Sequence, residues 1–245
     1  MESTYHPDLG RTVNYSVQTV PEDADGQVAA VIGIMREYAR EDARSPEIEC
    51  DLRAVALHPQ KDYSDLPPGE ANERTWIDSI FWHVKGRVSR FVTDEETART
   101  IQPGYEGPIV ETLIRPRDMA VYCDEGNCQG DCDDYAMYLA ALLTAAGVRC
   151  AFVTVAADET DRRWFSHVYV AAYTGEGVRV PLDASHGEYP GWEVARYWRI
   201  EEWPVSASAR FLPYMIAVAL LAWCAWQWKK MTGGERPERL ARVED

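Results

Sequence analysis

The stretch from Gly130 to Gly147 constrains the fold more than any other part of the sequence. It reads GDCDDYAMYLAALLTAAG, and from Cys132 onward small and apolar residues recur at helical spacing in a composition of high helix propensity. The preceding residues 124–129, DEGNCQ, are polar and contain turn formers, so we expect a loop there. Gly147 is a natural helix terminator. The pattern therefore predicts a buried helix that begins at Cys132.

A cysteine in the first turn of a helix lies where a thiolate is favoured. Unpaired backbone N–H groups and the positive end of the helix dipole stabilise negative charge there, so Cys132 is a candidate nucleophile. Asp131, Asp133 and Asp134 act in the opposite direction, because like charges disfavour an ionised thiol. A single cysteine near a helix start is also commonly structural. Cys132 therefore needs a base nearby before a catalytic role follows.

Two later stretches supply a base and a group to orient it. Residues 163–173, RWFSHVYVAAY, are rich in β-branched and aromatic residues, and residues 178–185, VRVPLDAS, follow after a Gly-containing turn. We expect an antiparallel hairpin in which His167 starts one strand and Asp183 ends the other, so that the two are neighbours across the ladder. Taken singly, His167 is also typical of a core histidine and Asp183 of a strand end.

The order of these three residues resembles that of the transglutaminase-like superfamily of papain-fold cysteine enzymes. The matching segments are GDCDD at 130–134 with the helix after it, GVRCAFV at 147–153, SHVYV at 166–170 and LD at 182–183, within roughly residues 75–190. The resemblance implies that Cys132 is the nucleophile, His167 the general base and acid, and Asp183 the group that orients the imidazole. It also implies a papain-like core.

The chain is similar in particular to the short transglutaminase-like domains of phages and prophages, where segments such as FVTD at 91–94 and ETLIRP at 111–116 precede the cysteine. The implied reaction is acyl transfer through a thioester on Cys132, which ends in hydrolysis with water or in a transglutaminase reaction with an amine. The alternative is a catalytically silent interaction module with the same fold. The sequence alone leaves both open.

Backbone N–H groups at Cys132 and in the loop before it are expected to bind an oxyanion, with Asn127, Gln129 and Asp131 as further oxyanion or cleft candidates. We expect no cofactor. A second hypothesis is a zinc site formed by Cys123, Cys128 and Cys132, although no second cysteine pair with zinc-site spacing follows. A third is a redox disulfide between Cys128 and Cys132. His83 lies beside an apolar helical stripe, and we assign it no catalytic role.

The formal net charge of −15 argues against nucleic acid as a partner, because phosphate binding requires clustered Lys and Arg. We expect a protein or peptide substrate instead. The N-terminus lacks the basic and apolar regions of a signal peptide, and the six cysteines form no regular framework. These features predict reduced thiols in a cytosolic setting for the catalytic part.

The domain organisation follows from changes in composition along the chain. We expect residues 1–70 to form a strand and helices that pack on the core, with one helix capped by Ser45 and Pro46, and residues 71–205 to form the catalytic domain. The segment 90–117 contains several Gly and Pro residues and is expected to be irregular.

A further segment at the C-terminus is apolar. Residues 211–228 contain no charged residue and, as a helix, would reach roughly 27 Å, which predicts a transmembrane helix followed by a charged tail, 229–245. Aromatic residues near both ends and Lys229–Lys230 fit membrane interfaces. The expected fold class is therefore an α+β papain-like domain, helices first and then an antiparallel sheet, plus a C-terminal transmembrane helix. We expect a single-pass membrane protein with its catalytic domain in the cytoplasm.

Overall fold

The structure is a computed structural model that describes residues 2–6, 11–15, 19–21, 23–55, 62–101, 111–126 and 128–205. All of these residues belong to one of the two units into which the chain divides, Met1–Ser208. In chain order they form β1 (Glu2–His6), β2 (Arg11–Tyr15), α1 (Ala24–Asp42), α2 (Pro46–Ala54), α3 (Pro68–Arg87), β3 (Arg90–Phe91), α4 (Asp94–Ile101), α5 (Pro116–Asp124), β4 (Gln129–Gly130), α6 (Cys132–Ala145), β5 (Arg149–Ala156), β6 (His167–Tyr173), β7 (Arg179–Leu182) and β8 (Arg199–Val205).

Helix α6 is the element that the other elements pack against. Every residue from Asp133 to Leu143 is buried, and a helix that is apolar on all faces must be covered on all faces. Helices α1, α2, α3 and α5 and strands β5 and β6 contact it. The helix begins at Cys132 as predicted, and Gly147, with a φ of 79°, follows its last turn.

A four-stranded antiparallel sheet in the order β7-β6-β5-β8 forms the second part of the core. The predicted hairpin is present as β6 and β7, with Val170 opposite Leu182. Strand β6 begins at His167, and β7 ends one residue before Asp183, so both residues lie at the same end of the hairpin. Strand β8, which pairs with β5, was not predicted, because its sequence RIEEWPV combines charged residues with a proline.

Side chains cap the two N-terminal helices, and the cap of α2 is the one that the sequence predicts. The backbone N–H of Ile48 donates to Ser45 Oγ at 3.2 Å, and Pro46 occupies the first position of α2. At the start of α1, Asp23 accepts from the backbone N–H of Gly26 at 2.8 Å. These caps orient two helices that both contact α6.

The segment predicted to be irregular contains regular elements. Helix α4 and the start of α5 lie in it, and β3 pairs in parallel with β4, with Arg90 opposite Gln129 and Phe91 opposite Gly130. The sequence gives little sign of a two-residue strand, because its pairing depends on residues about forty positions away in the chain. This pairing places Phe91 beside the residues that lead into Cys132.

The predicted fold class is wrong in its membrane part. Among the residues that the structure describes, which form a mixed α/β domain, no helix is both long and apolar enough to cross a membrane. The predicted transmembrane helix, 211–228, and the tail, 229–245, lie outside the described residues. The predicted single-pass localisation and membrane anchoring depended on that helix alone, so we withdraw them.

Candidate active site

The structure places Cys132 where α6 meets the start of β6. Cys132 is the first residue of α6 and is half-buried. The backbone N–H of Val168, the residue after His167, acts on the sulfur and lowers the pKa of Cys132. The packing of α6 against β6 therefore brings the thiol beside the strand that carries the histidine.

His167 and Asp183 are paired across the hairpin. His167 Nε2 lies 2.7 Å from Asp183 Oδ2, and Asp183 is completely buried. The other oxygen, Oδ1, accepts from Ser185 Oγ at 2.8 Å and from the backbone N–H of His186 at 2.9 Å. Burial alone would raise the pKa of Asp183, but these hydrogen bonds outweigh it and hold the pKa below its usual value. Asp183 is therefore ionised at neutral pH.

This pairing also decides which nitrogen of His167 is free for chemistry. Nε2 is used by Asp183, so Nδ1 is the nitrogen left to exchange a proton with a thiol. A carboxylate on one ring nitrogen fixes the tautomer and orientation of an imidazole and stabilises its protonated form. The structure thus brings the three predicted residues Cys132, His167 and Asp183 into one region of the fold.

The thiol lies in a field that disfavours its ionised form. Burial raises the pKa of Cys132, and Asp131, Glu111 and Asp134 raise it further, to about 12, against the opposing hydrogen bond from Val168. At neutral pH Cys132 is consequently a thiol and not a thiolate. Any nucleophilic reaction must remove its proton during the attack.

A group of carboxylates surrounds the first turn of α6. Burial, Asp131 and Glu111 raise the pKa of Asp94 to about 8, although the backbone N–H of Thr112 donates to it at 2.8 Å. Burial is also the main reason that the pKa values of Asp133 and Asp134 are well above normal. Neighbouring negative charges raise these pKa values further, because like charges disfavour the ionised form of a carboxyl group.

Two sets of side chains in the described residues have the spacing that a metal ion requires. One is His167, Asp183 and His186, and the other is Asp131, Asp133 and Asp134; within each set the ligand atoms lie within 4.8 Å of one another. In the first set, His167 Nε2 and Asp183 Oδ2 are already joined by a hydrogen bond. The prediction of no cofactor stays a prediction.

The oxyanion candidates occupy different places. Asn127 lies outside the described residues. Gln129 is in β4, and Asp131 directly precedes α6, where its backbone N–H donates to Asp134 Oδ2 at 3.3 Å. The first-turn N–H groups of α6, beginning with that of Cys132, have no partner within the helix and are the donors best placed for an oxyanion.

The cysteine hypotheses are resolved by the pairing of Cys123 with Cys128 in a disulfide. Two of the three thiols of the proposed zinc site are consumed by this bond, and the third, Cys132, is a free cysteine. The zinc site and the Cys128–Cys132 disulfide are therefore both wrong, as is the expectation that every thiol is reduced. The sequence did not distinguish the two cysteine pairs, because both have short separations.

Sequence reasoning missed Ser185, His186 and Phe91. The rings of His186 and His167 meet edge to face with centroids 4.8 Å apart, and the ring of Phe91 meets His186 at 5.4 Å. The dipeptide Ser185-His186 directly after Asp183 was an available signal, since hydroxyl and imidazole groups beside a carboxylate commonly bond to it. Phe91 had no such signal.

Neither a family model nor a curated protein sequence matches the chain. Among solved structures, it is similar to a Rad4–Rad23 complex bound to a 6-4 photoproduct UV lesion, at 13% identity and a TM-score of 0.39, over 64% of this chain and 37% of that chain. It is also similar to the Rad4/XPC nucleotide excision repair complex studied for the role of its β-hairpin motifs in DNA duplex opening, at 13% identity and a TM-score of 0.41, over 66% of this chain and 39% of that chain. A third similar structure is Rad4–Rad23 crosslinked to undamaged DNA, at 12% identity and a TM-score of 0.35, over 76% of this chain and 43% of that chain.

This chain spans about two fifths of the length of those chains. At these identities and TM-scores the likeness assigns neither a family nor a function. Those structures are described as complexes that bind, are crosslinked to or open DNA, whereas the sequence analysis excluded nucleic acid as a partner. We withdraw that exclusion.

Proposed function

We propose that the protein is a transglutaminase-like cysteine enzyme that transfers an acyl group through a thioester on Cys132. The observation that carries the proposal is the position of the thiol at the start of α6, which packs against β6, the strand whose first residue is a histidine paired with a buried carboxylate. His167 Nδ1 takes the thiol proton as sulfur attacks a carbonyl, and the resulting imidazolium protonates the leaving group. Asp183 stabilises the imidazolium.

The raised pKa of Cys132 favours concerted proton removal over a resting ion pair of thiolate and imidazolium. It also supports the second candidate function, a catalytically silent interaction module, because an unassisted thiol of this pKa reacts slowly at neutral pH. The two candidates differ in whether His167 accelerates the attack of Cys132.

The test is acylation of the full chain by p-nitrophenyl acetate. We expect an initial burst of p-nitrophenolate and an acetyl adduct on Cys132, located by peptide mass spectrometry. Cys132→Ser should abolish the adduct, and His167→Ala should slow its formation by about a hundredfold, the usual contribution of a general base. Addition of a primary amine then distinguishes the acceptors, since a transglutaminase forms the acetylated amine whereas a hydrolase releases acetate.

Acetylation of Cys132 at the same rate in the His167→Ala variant, or no acetylation at all, would leave the silent module as the function. Cys50 is an exposed free cysteine in the same chain and serves as an internal reference for the rate of an ordinary thiol.

A further inference from the structure

A continuous row of rings runs through the site. The ring of Phe91 contacts that of His186, the ring of His186 contacts that of His167, and the ring of His167 stacks on that of Tyr169, with centroid separations of 5.4, 4.8 and 6.0 Å. The first two contacts are edge to face, a preferred geometry for aromatic pairs. The imidazole of His167 is therefore held between two rings.

The row connects the two parts of the fold that must be aligned for proton transfer. Phe91 belongs to β3, which pairs with β4, and its partner there is Gly130, two residues before Cys132. His167 belongs to the sheet. His186 lies between them, in the turn after β7, and thereby joins the thiol side to the imidazole side.

His186 is also fixed on its own side of the site. Its backbone N–H donates to Asp183 Oδ1 at 2.9 Å, and its Nδ1 lies 3.0 Å from Ser185 Oγ. Burial and the neighbouring His167 lower the pKa of His186, so its ring is neutral at neutral pH. A neutral ring packs against His167 without repelling the imidazolium that forms during the reaction.

We infer that His186 is a positioning residue, whose ring, supported by Phe91, holds the imidazole of His167 in line with Cys132. The inference rests on the proposed function. A misplacement of about 1 Å in a reacting group costs up to about a hundredfold in rate, so a ring that prevents rotation of the imidazole contributes measurably.

The experiment compares His186→Ala and His186→Phe in the full chain, with acetylation of Cys132 by p-nitrophenyl acetate as the assay. We expect His186→Ala to reduce the rate by about tenfold. His186→Phe retains a flat ring and the backbone N–H that bonds Asp183, so it should restore the rate to within about threefold of the parent. Tyr189→Ala, an exposed ring in the same turn, is the matched control and should react like the parent.

A second measurement separates positioning from general destabilisation. The ring resonances of His167, observed by NMR on histidine-labelled protein, should move in His186→Ala because a neighbouring ring current is removed, and should stay near the parental positions in Tyr189→Ala. The pH profile of acetylation should flatten in His186→Ala, because a mispositioned His167 contributes less to proton removal, and recover in His186→Phe.

The outcomes are distinct. If His167→Ala slows acetylation but His186→Ala does not, the inference fails and the proposed function stands. Equal losses in His186→Ala and His186→Phe would also overturn it, since the ring contact would then be irrelevant. If His167→Ala has no effect, the proposed function fails and the positioning role falls with it.

Discussion

At the scale of single residues, the main chemical fact is the contrast between Cys132 and Asp183. Cys132 is half-buried and Asp183 is completely buried, yet the pKa of Cys132 is raised and that of Asp183 is lowered. The difference lies in the surroundings. Three donors stabilise the Asp183 carboxylate, whereas carboxyl groups near Cys132 outweigh the backbone N–H of Val168. Reactivity of the thiol therefore depends on removal of negative charge or on a base.

Replacement of Asp131 by Asn tests this electrostatic account. Asp131 is the largest electrostatic cause of the raised pKa of Cys132 after burial, so Asp131→Asn should lower that pKa and accelerate alkylation of the thiol by iodoacetamide at neutral pH by about three- to tenfold. The measurement is the rate of Cys132 modification, followed by mass spectrometry. Glu37→Gln, at an exposed position of α1, removes one negative charge as Asp131→Asn does and should leave the rate unchanged. An equal gain in rate in both variants would show that only the net charge of the chain matters.

At the scale of elements, a buried carboxylate joins three helices. Asp51 of α2 accepts hydrogen bonds from Tyr138 of α6 and from Arg87 of α3, and its Oδ1 lies 2.8 Å from His83 Nε2. Asp51 is only 5% exposed, and a carboxyl group buried to this extent is costly to the fold without such partners. The network also accounts for His83, which is in hydrogen-bond contact with Asp51, outside the candidate site.

Removal of this carboxylate should destabilise the helical part of the core. Asp51→Ala leaves the Arg87 charge and the Tyr138 hydroxyl without their buried partner, and we expect the free energy of unfolding to fall by about 3–5 kcal/mol. Urea denaturation followed by circular dichroism measures the change. Glu49→Ala, at an exposed position of the same helix, should stay within about 0.5 kcal/mol of the parent. Similar values for both variants would show that the network adds no net stability.

At the scale of the whole molecule, acidity affects stability through the carboxyl groups near α6. The pKa of Asp94 is about 8 in the folded state, compared with about 3.9 for an unfolded chain, and those of Asp133 and Asp134 are also raised. A carboxyl group whose pKa is higher in the folded state stabilises the fold while it is protonated. That stabilisation is complete below about pH 4 and is lost as the pH rises through the folded pKa.

The melting temperature should therefore fall by about 5 °C as the pH rises from about 5 to about 8, because Asp94, Asp133 and Asp134 lose their protons and the negative charge of the chain increases. The contribution of Asp183 to stability changes with pH in the opposite direction, because its pKa is lower in the folded state. This contribution is present above about pH 4 and is lost in more acidic solution. Thermal scans at constant ionic strength measure the change of melting temperature with pH. Asp94→Asn should reduce it, and a melting temperature that rises with pH would contradict the account.

What the sequence determined about this protein is local. The start of α6 at Cys132, the cap of α2 at Ser45 and the hairpin that pairs His167 with Asp183 all follow from helical or alternating patterns and turns within a few residues. Side chains so close along the chain have few alternative arrangements. The same argument predicted a membrane span from composition alone, and the described residues contain no such helix.

The tertiary structure alone decided which distant residues meet. The approach of Cys132 to the start of β6 and the contact of Phe91 with His186 depend on how elements pack, which no local pattern encodes. The high pKa of the thiol is a further example. Three flanking aspartates predicted that the pKa would be raised. The size of the increase comes mainly from burial, and burial is a property of the assembled core.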